Sequence, residues 1–133
     1  MLREFDNETI LAINEFERLT GTEVRDCILN DTIYFLVNAG KAALAIGKGG
    51  SAVREAETRL KRSIRIYEWD PNVENFIKNM IPSAQKITVN GDTATVVIPA
   101  KDKGIVIGKA GANIKAIKEL LVRNSELKEL RIL

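Results

Sequence analysis

Two phrases, "AIGKGG" at Ala45 to Gly50 and "VIGKAG" at Val106 to Gly111, set the same Gly-Lys-x-Gly pattern 61 positions apart in a chain of 133 residues. One such phrase constrains little, because glycines separated by two residues often arise by chance. Two copies, each preceded by Ile (Ile46, Ile107) and each followed by an aliphatic residue (Val53, Ile114), restrict the fold far more, provided that the surrounding elements repeat as well. Length alone leaves one average domain or two small ones open.

The surroundings do repeat. From Asp6 to Thr20 a capping acid precedes Ala12, Ile13, Phe16 and Leu19 on one helical face, and Gly21 stands just beyond. "VRDCILN" and "TIYFLVN", parted by Asn30 and Asp31, have the β-branched and aromatic content of two strands. "AGKAALA" then runs as a short helix into Gly47, and beyond the glycines Ala52, Val53, Ala56 and Leu60 share one helical face before "SIRIYEW" closes as a strand. After Asp70 the order recurs. Pro71 suits the first turn of a helix whose apolar face is Val73, Phe76, Ile77 and Met80. "KITVN" and "TATVVIP" flank the hairpin signal "NGD", "AKDKGIVIGKAG" is a second short helix into glycines, Ile114, Ile117 and Leu121 mark a long helix, and "KELRIL" a last strand. The evident length difference, "RNSELKE" against "KRS", falls in a loop. The expected architecture is α+β, with domains at 1–70 and 71–133.

Composition narrows the chemistry. There is no histidine, so the commonest general acid/base and the commonest metal ligand are both missing, and the acids read as solvated surface; no enzyme activity, cofactor or metal is expected. Cys27 stands alone in an apolar run and reads as a small buried hydrophobe. No apolar run approaches the ~18 residues of a membrane span. "MLREFDNETI" lacks the apolar core of a secretory signal, so a cytoplasmic protein is expected. Charge is unevenly spread: residues 1–70 hold 10 basic and 12 acidic side chains, residues 71–133 hold 10 and 6. Within Lys48 to Arg65 six bases face two acids, and within Lys101 to Lys118 five face one. Positive charge gathered at both glycine phrases favours a polyanionic partner, with solvated helix faces as the alternative.

A tight turn between two helices accounts for Gly47 and Gly50, and for Gly108 and Gly111. Bare glycine backbone also lets a sugar-phosphate chain lie close, and packing poorly explains a lysine at the tip, Lys48 or Lys109. A nucleoside-triphosphate loop fails on spacing. Six residues stand between Gly40 and Gly47, Lys48 is followed by Gly49, and Lys109 by Ala110, so no hydroxyl is placed for Mg²⁺.

"AIGKGGSAV" and "VIGKAGANI", each in the order helix, strand, strand, helix, GxxG, helix, strand, resemble the KH RNA-binding domain in its type II arrangement, present twice. More closely, "TGTEVRDCI", "ALAIGKGGSAVREAE", "ENFIKNM" and "PAKDKGIVIGKAGANIKAIKELL" resemble the archaeal NusA-like transcription termination and antitermination factors. The resemblance implies tandem type II KH domains, each a three-stranded mixed sheet packed against three helices. It also implies single-stranded RNA as the partner, about four nucleotides per unit. Gly47, Lys48, Gly49 and Gly50 would form one clamp and Gly108, Lys109, Ala110 and Gly111 the other. Ile46, Val53, Ile107 and Ile114 would form core and groove floor, and for any one of them an ordinary core role accounts equally well. Arg54 and Lys115, one turn beyond the glycines, would meet phosphate, with a solvated helix face as the alternative. RNA polymerase is a further expected partner and the chain is expected to be a monomer. The bacterial relatives carry polymerase-binding and S1 domains for which this length has no room. The alternatives are a ribosome-assembly or RNA-processing adaptor, and a protein interaction module with idle clamps, the more acidic first unit being the readier to have lost its clamp.

The seven aromatics, Phe5, Phe16, Tyr34, Phe35, Tyr67, Trp69 and Phe76, all lie outside the basic glycine segments. That disfavours a base-stacking platform and suits an aliphatic groove. Trp69 beside the junction is expected to pack between the units, which the short connection should hold rigidly as one RNA track.

Overall fold

The computed structural model describes residues 4–133 and divides into two compact units, the first ending at Trp69 and the second running from Asp70 to Leu133. In the first, helix α1 (Asn7–Thr20) is capped by Asp6, whose side chain accepts the Thr9 backbone N–H at 2.8 Å, and ends at Gly21 in the left-handed region (φ 68°). The hydrogen bonds from Thr9 hold the Asp6 carboxyl below the usual carboxylate range. A depressed carboxyl contributes stability above its unfolded pKa and loses it as pH falls through the lower folded value. Asp6→Asn, which keeps the acceptor without the charge, is therefore expected to flatten the acid limb of helix melting followed by circular dichroism.

Strands β1 (Val24–Leu29) and β2 (Thr32–Val37) pair antiparallel, and β2 pairs parallel with β3 (Ser63–Glu68), in the order β1-β2-β3. The register slips between Val24 and Asp26, a bulge at which the buried Asp26 accepts the Cys27 N–H at 2.8 Å. The central strand is buried on both sides, as its unbroken apolar run requires. Helices α2 (Ala42–Ile46) and α3 (Ser51–Leu60) join α1 over a core that includes Phe16, Cys27, Phe35, Val37, Ala45 and Ala56. Phe16 and Phe35 stack at 3.9 Å between ring centroids. The short α2 has no side-chain cap of its own; Glu68, from the end of β3, accepts the Ala42 N–H at 3.0 Å instead. Trp69 lies under the Arg25 guanidinium, which stands 3.7 Å from its ring centroid.

The second unit repeats the plan with α4 (Val73–Met80), β4 (Lys86–Asn90), β5 (Thr93–Val97), α5 (Ala100–Ile107), α6 (Ala112–Arg123) and β6 (Glu129–Ile132). Its sheet is again mixed, β4 antiparallel and β6 parallel to β5. Pro71 does not open α4. The Asn72 carboxamide accepts the Asn75 N–H at 3.0 Å, which places the cap one residue after the proline and starts the helix at Val73. Gly91 turns the β4–β5 hairpin at φ 61°. Among the described residues no helix is long and apolar enough to cross a membrane.

Candidate nucleic-acid interface

Between α2 and α3, and again between α5 and α6, the chain makes a single 3-10 turn, Lys48–Gly50 and Lys109–Gly111. The turns match closely. Gly47 (φ 79°, ψ 167°) corresponds to Gly108 (φ 77°, ψ 175°), Gly50 (φ 79°, ψ 14°) to Gly111 (φ 75°, ψ 11°), and Gly50 and Gly111 each donate to the first glycine's carbonyl at 3.0 and 3.1 Å. The dihedrals of Gly47 and Gly108 are accessible to glycine almost alone. A Cβ on Gly47 would also sit 2.7 Å from the Ala52 nitrogen, and one on Gly108 2.7 Å from the Asn113 Cβ. These two glycines let the following helix close against the turn.

Position three of each turn is left-handed as well: Gly49 at φ 61°, ψ 22° and Ala110 at φ 55°, ψ 25°. An L-residue there bears roughly 1 kcal/mol of strain. The second turn therefore keeps the shape of the first at a cost its sequence could have avoided. It is also braced differently. Asn113 is buried and its side-chain amide donates to the Val106 carbonyl at 2.9 Å, tying α6 to the end of α5, where the first unit has the smaller Ala52.

The site residues read from the sequence fall as follows. Lys48, Gly49, Lys109 and Ala110 are exposed at the tips. Val53 and Ile114 are half-buried, so they belong to core and surface at once. Ile46 and Ile107 are 40% and 39% exposed, which makes them surface residues rather than core. Arg54 does not project freely: its guanidinium donates to the Gly49 carbonyl at 2.7 Å and lies over the turn. Lys115, its counterpart, runs along the second turn, its Cε about 4.0 Å from where a Gly111 Cβ would stand.

One pair escaped the sequence reading. Leu44 and Ile105, each three residues before the first glycine, are 53% and 70% exposed. With Ile46 and Ile107 they give both turns an uncovered aliphatic flank, and the signal was present in their own spacing of 61. Each site therefore combines a lysine-tipped turn, a cation laid along it, and a bare aliphatic strip without a ring. Among the described residues no cluster of His, Cys, Asp and Glu could hold a metal ion.

This arrangement, built twice, is that of the KH domain, and the KH domain family matches residues 13–78 and again 72–131. The probable transcription termination protein NusA of Halobacterium salinarum is 33% identical over 138 residues, covering 99% of each chain. The protein of the same name from Methanocaldococcus jannaschii is 29% identical over 133 residues, 95% of this chain and 73% of that one. The crystal structure of APE1850 superposes with a TM-score of 0.74 at 25% identity, covering 97% of this chain and all of that one. The chain belongs to the NusA-like family of archaeal tandem KH proteins.

Proposed function

We propose that this chain, with domains at 1–70 and 71–133, binds single-stranded RNA through two GxxG clamps and acts in transcription termination or antitermination by contacting nascent RNA. The observation that carries the reading is the conserved shape of the two turns. Ala110 is held in the left-handed region so that the second turn keeps the form of the first, which packing alone does not require. The lysine tips supply charge for phosphate, and the aliphatic strips at Leu44 and Ile46, and at Ile105 and Ile107, supply dry contact for unstacked bases. The transcriptional part of the reading is supported by the name the relatives carry, probable transcription termination protein.

The test is titration of labelled single-stranded and duplex RNA at several salt concentrations. With Lys48, Arg54, Lys109 and Lys115 each on a phosphate, log K is expected to fall with log salt at a slope of about −3, from ~0.7 per single-strand contact. Duplex RNA is expected to bind more weakly. Absent RNA binding or a flat salt response would speak for a protein interaction module, and equal affinity for duplex would overturn the preference for single strands. Co-purification with RNA polymerase supports the transcriptional role, and enrichment on ribosomal particles instead would replace it with an assembly role.

A further inference from the structure

The first unit has a basic feature beyond its glycine turn, sharing only Arg54 with it. An open depression of about 530 Å³ at the C-terminal end of α3 is lined by Arg54, Glu57, Thr58, Lys61, Arg62 and Ser63. Among its lining residues three cations stand against one carboxylate, Glu57, which accepts the Ile64 backbone N–H at 2.9 Å. Arg62 is held in position by an ion pair with the Glu8 carboxylate at 2.7 Å and by donating to the Asn30 carbonyl at 2.9 Å; of its five N–H donors others remain for a phosphate, though Glu8 offsets part of its charge. Lys61 ends α3 in the left-handed region (φ 56°, ψ 36°), the position where helices ordinarily place glycine. Apart from Ala110 in the second turn, it is the only non-glycine residue at positive φ among those described. A lysine kept in a strained position, exposed and beside two arginines, points to its side chain as the reason.

We infer that Lys61, Arg62 and Arg54 form a second phosphate-binding subsite, which takes the phosphodiester backbone of RNA leaving the first clamp. The subsite rests on the RNA-binding reading above. Arg54 links the two places: it lies over the glycine turn and also lines the depression, and ten residues of α3 separate them by about 15 Å. The second unit does not repeat the subsite. Sixty-one residues on, the charges are rearranged: Lys118 stands for Glu57, Glu119 for Thr58 and Val122 for Lys61, so no cation takes the place of Lys61, while Arg123 pairs with Glu119 at 2.9 Å as Arg62 does with Glu8. There α6 continues to Arg123, through the positions where α3 has already ended.

The test compares a 4-nucleotide with a 10-nucleotide single-stranded RNA on the full chain. About four nucleotides fill a clamp, so the short RNA leaves the subsite empty. Lys61→Gly removes the strain together with the charge, so its thermal midpoint is expected to be no lower than that of the wild type. Its affinity for the long RNA is expected to fall about fivefold at 0.1 M salt, with a salt slope shallower by about 0.7, while the short RNA binds as before. Thr58→Glu, copying the second unit's acid, should weaken long RNA in the same way. Unchanged long-RNA affinity in both variants, or equal losses for both lengths, overturns the subsite. If Lys48→Asp weakens both lengths while Lys61→Gly alters neither, the subsite alone falls. A wild type that binds neither RNA overturns the clamp reading and the subsite together.

Discussion

Replacing Lys48 and Lys109 together by Asp is expected to remove nearly all affinity for single-stranded RNA while leaving the fold intact. Both side chains are exposed at the tips of their turns, and the residues that shape those turns are the glycines around them. Each reversal removes a cation and adds an anion. At ~0.7 log units per unit charge that is about 25-fold per clamp at 0.1 M salt, and several hundredfold for the pair if both clamps engage one strand. Fluorescence anisotropy reads the affinity, and circular dichroism with a thermal melt confirms the fold. Unchanged binding in the double variant would remove the clamps from the mechanism. The single variants rank them: the second clamp, braced by Asn113 and set in the more basic unit, is expected to lose more on reversal than the first.

The second large effect is on stability. Gly108→Ala is expected to cost the second unit about 3 kcal/mol, because it forces an L-residue into dihedrals that glycine almost alone adopts and drives a Cβ to 2.7 Å from the Asn113 Cβ. Gly47→Ala should cost a similar amount against Ala52 in the first unit. Gly49→Ala should cost only about 1 kcal/mol, since no atom lies within 4 Å of the added Cβ and Ala110 already occupies the equivalent place. Denaturant titration of the three variants separates the values. Equal costs at Gly49 and Gly108 would mean that close approach of the following helix is not what demands the first glycine.

The helix of Asp6 to Thr20 was readable because its limits are local chemistry: a capping carboxylate at one end and a left-handed glycine at the other. The hairpin at Gly91 was readable for the same reason. Pro71 misled because two local rules compete there, and the side-chain cap of Asn72 outweighed the proline's preference for a first turn. The bulge in β1 leaves no mark in an alternating pattern, since it is a slip between partners distant in the chain. The glycine sites were legible as residues but not as surfaces. That Leu44 and Ile105 stay bare depends on which neighbours the packed helices bring near, and that Arg54 lies back on the Gly49 carbonyl, five residues away, depends on the rotamer it takes over the turn.

By itself the sequence determined the repeat, the order of elements and the two glycine turns, because periodicity, capping and the backbone freedom of glycine act over a few residues. Only the tertiary structure decided which aliphatic side chains remain uncovered, which turn is braced by a buried amide, and that α3 ends in a strained lysine where α6 runs on. The bare side chains reflect the packing of elements distant in the chain, while the Asn113 brace spans seven residues and the two helices end differently over a few, so these depend on side-chain and backbone conformations that residue identity alone leaves open.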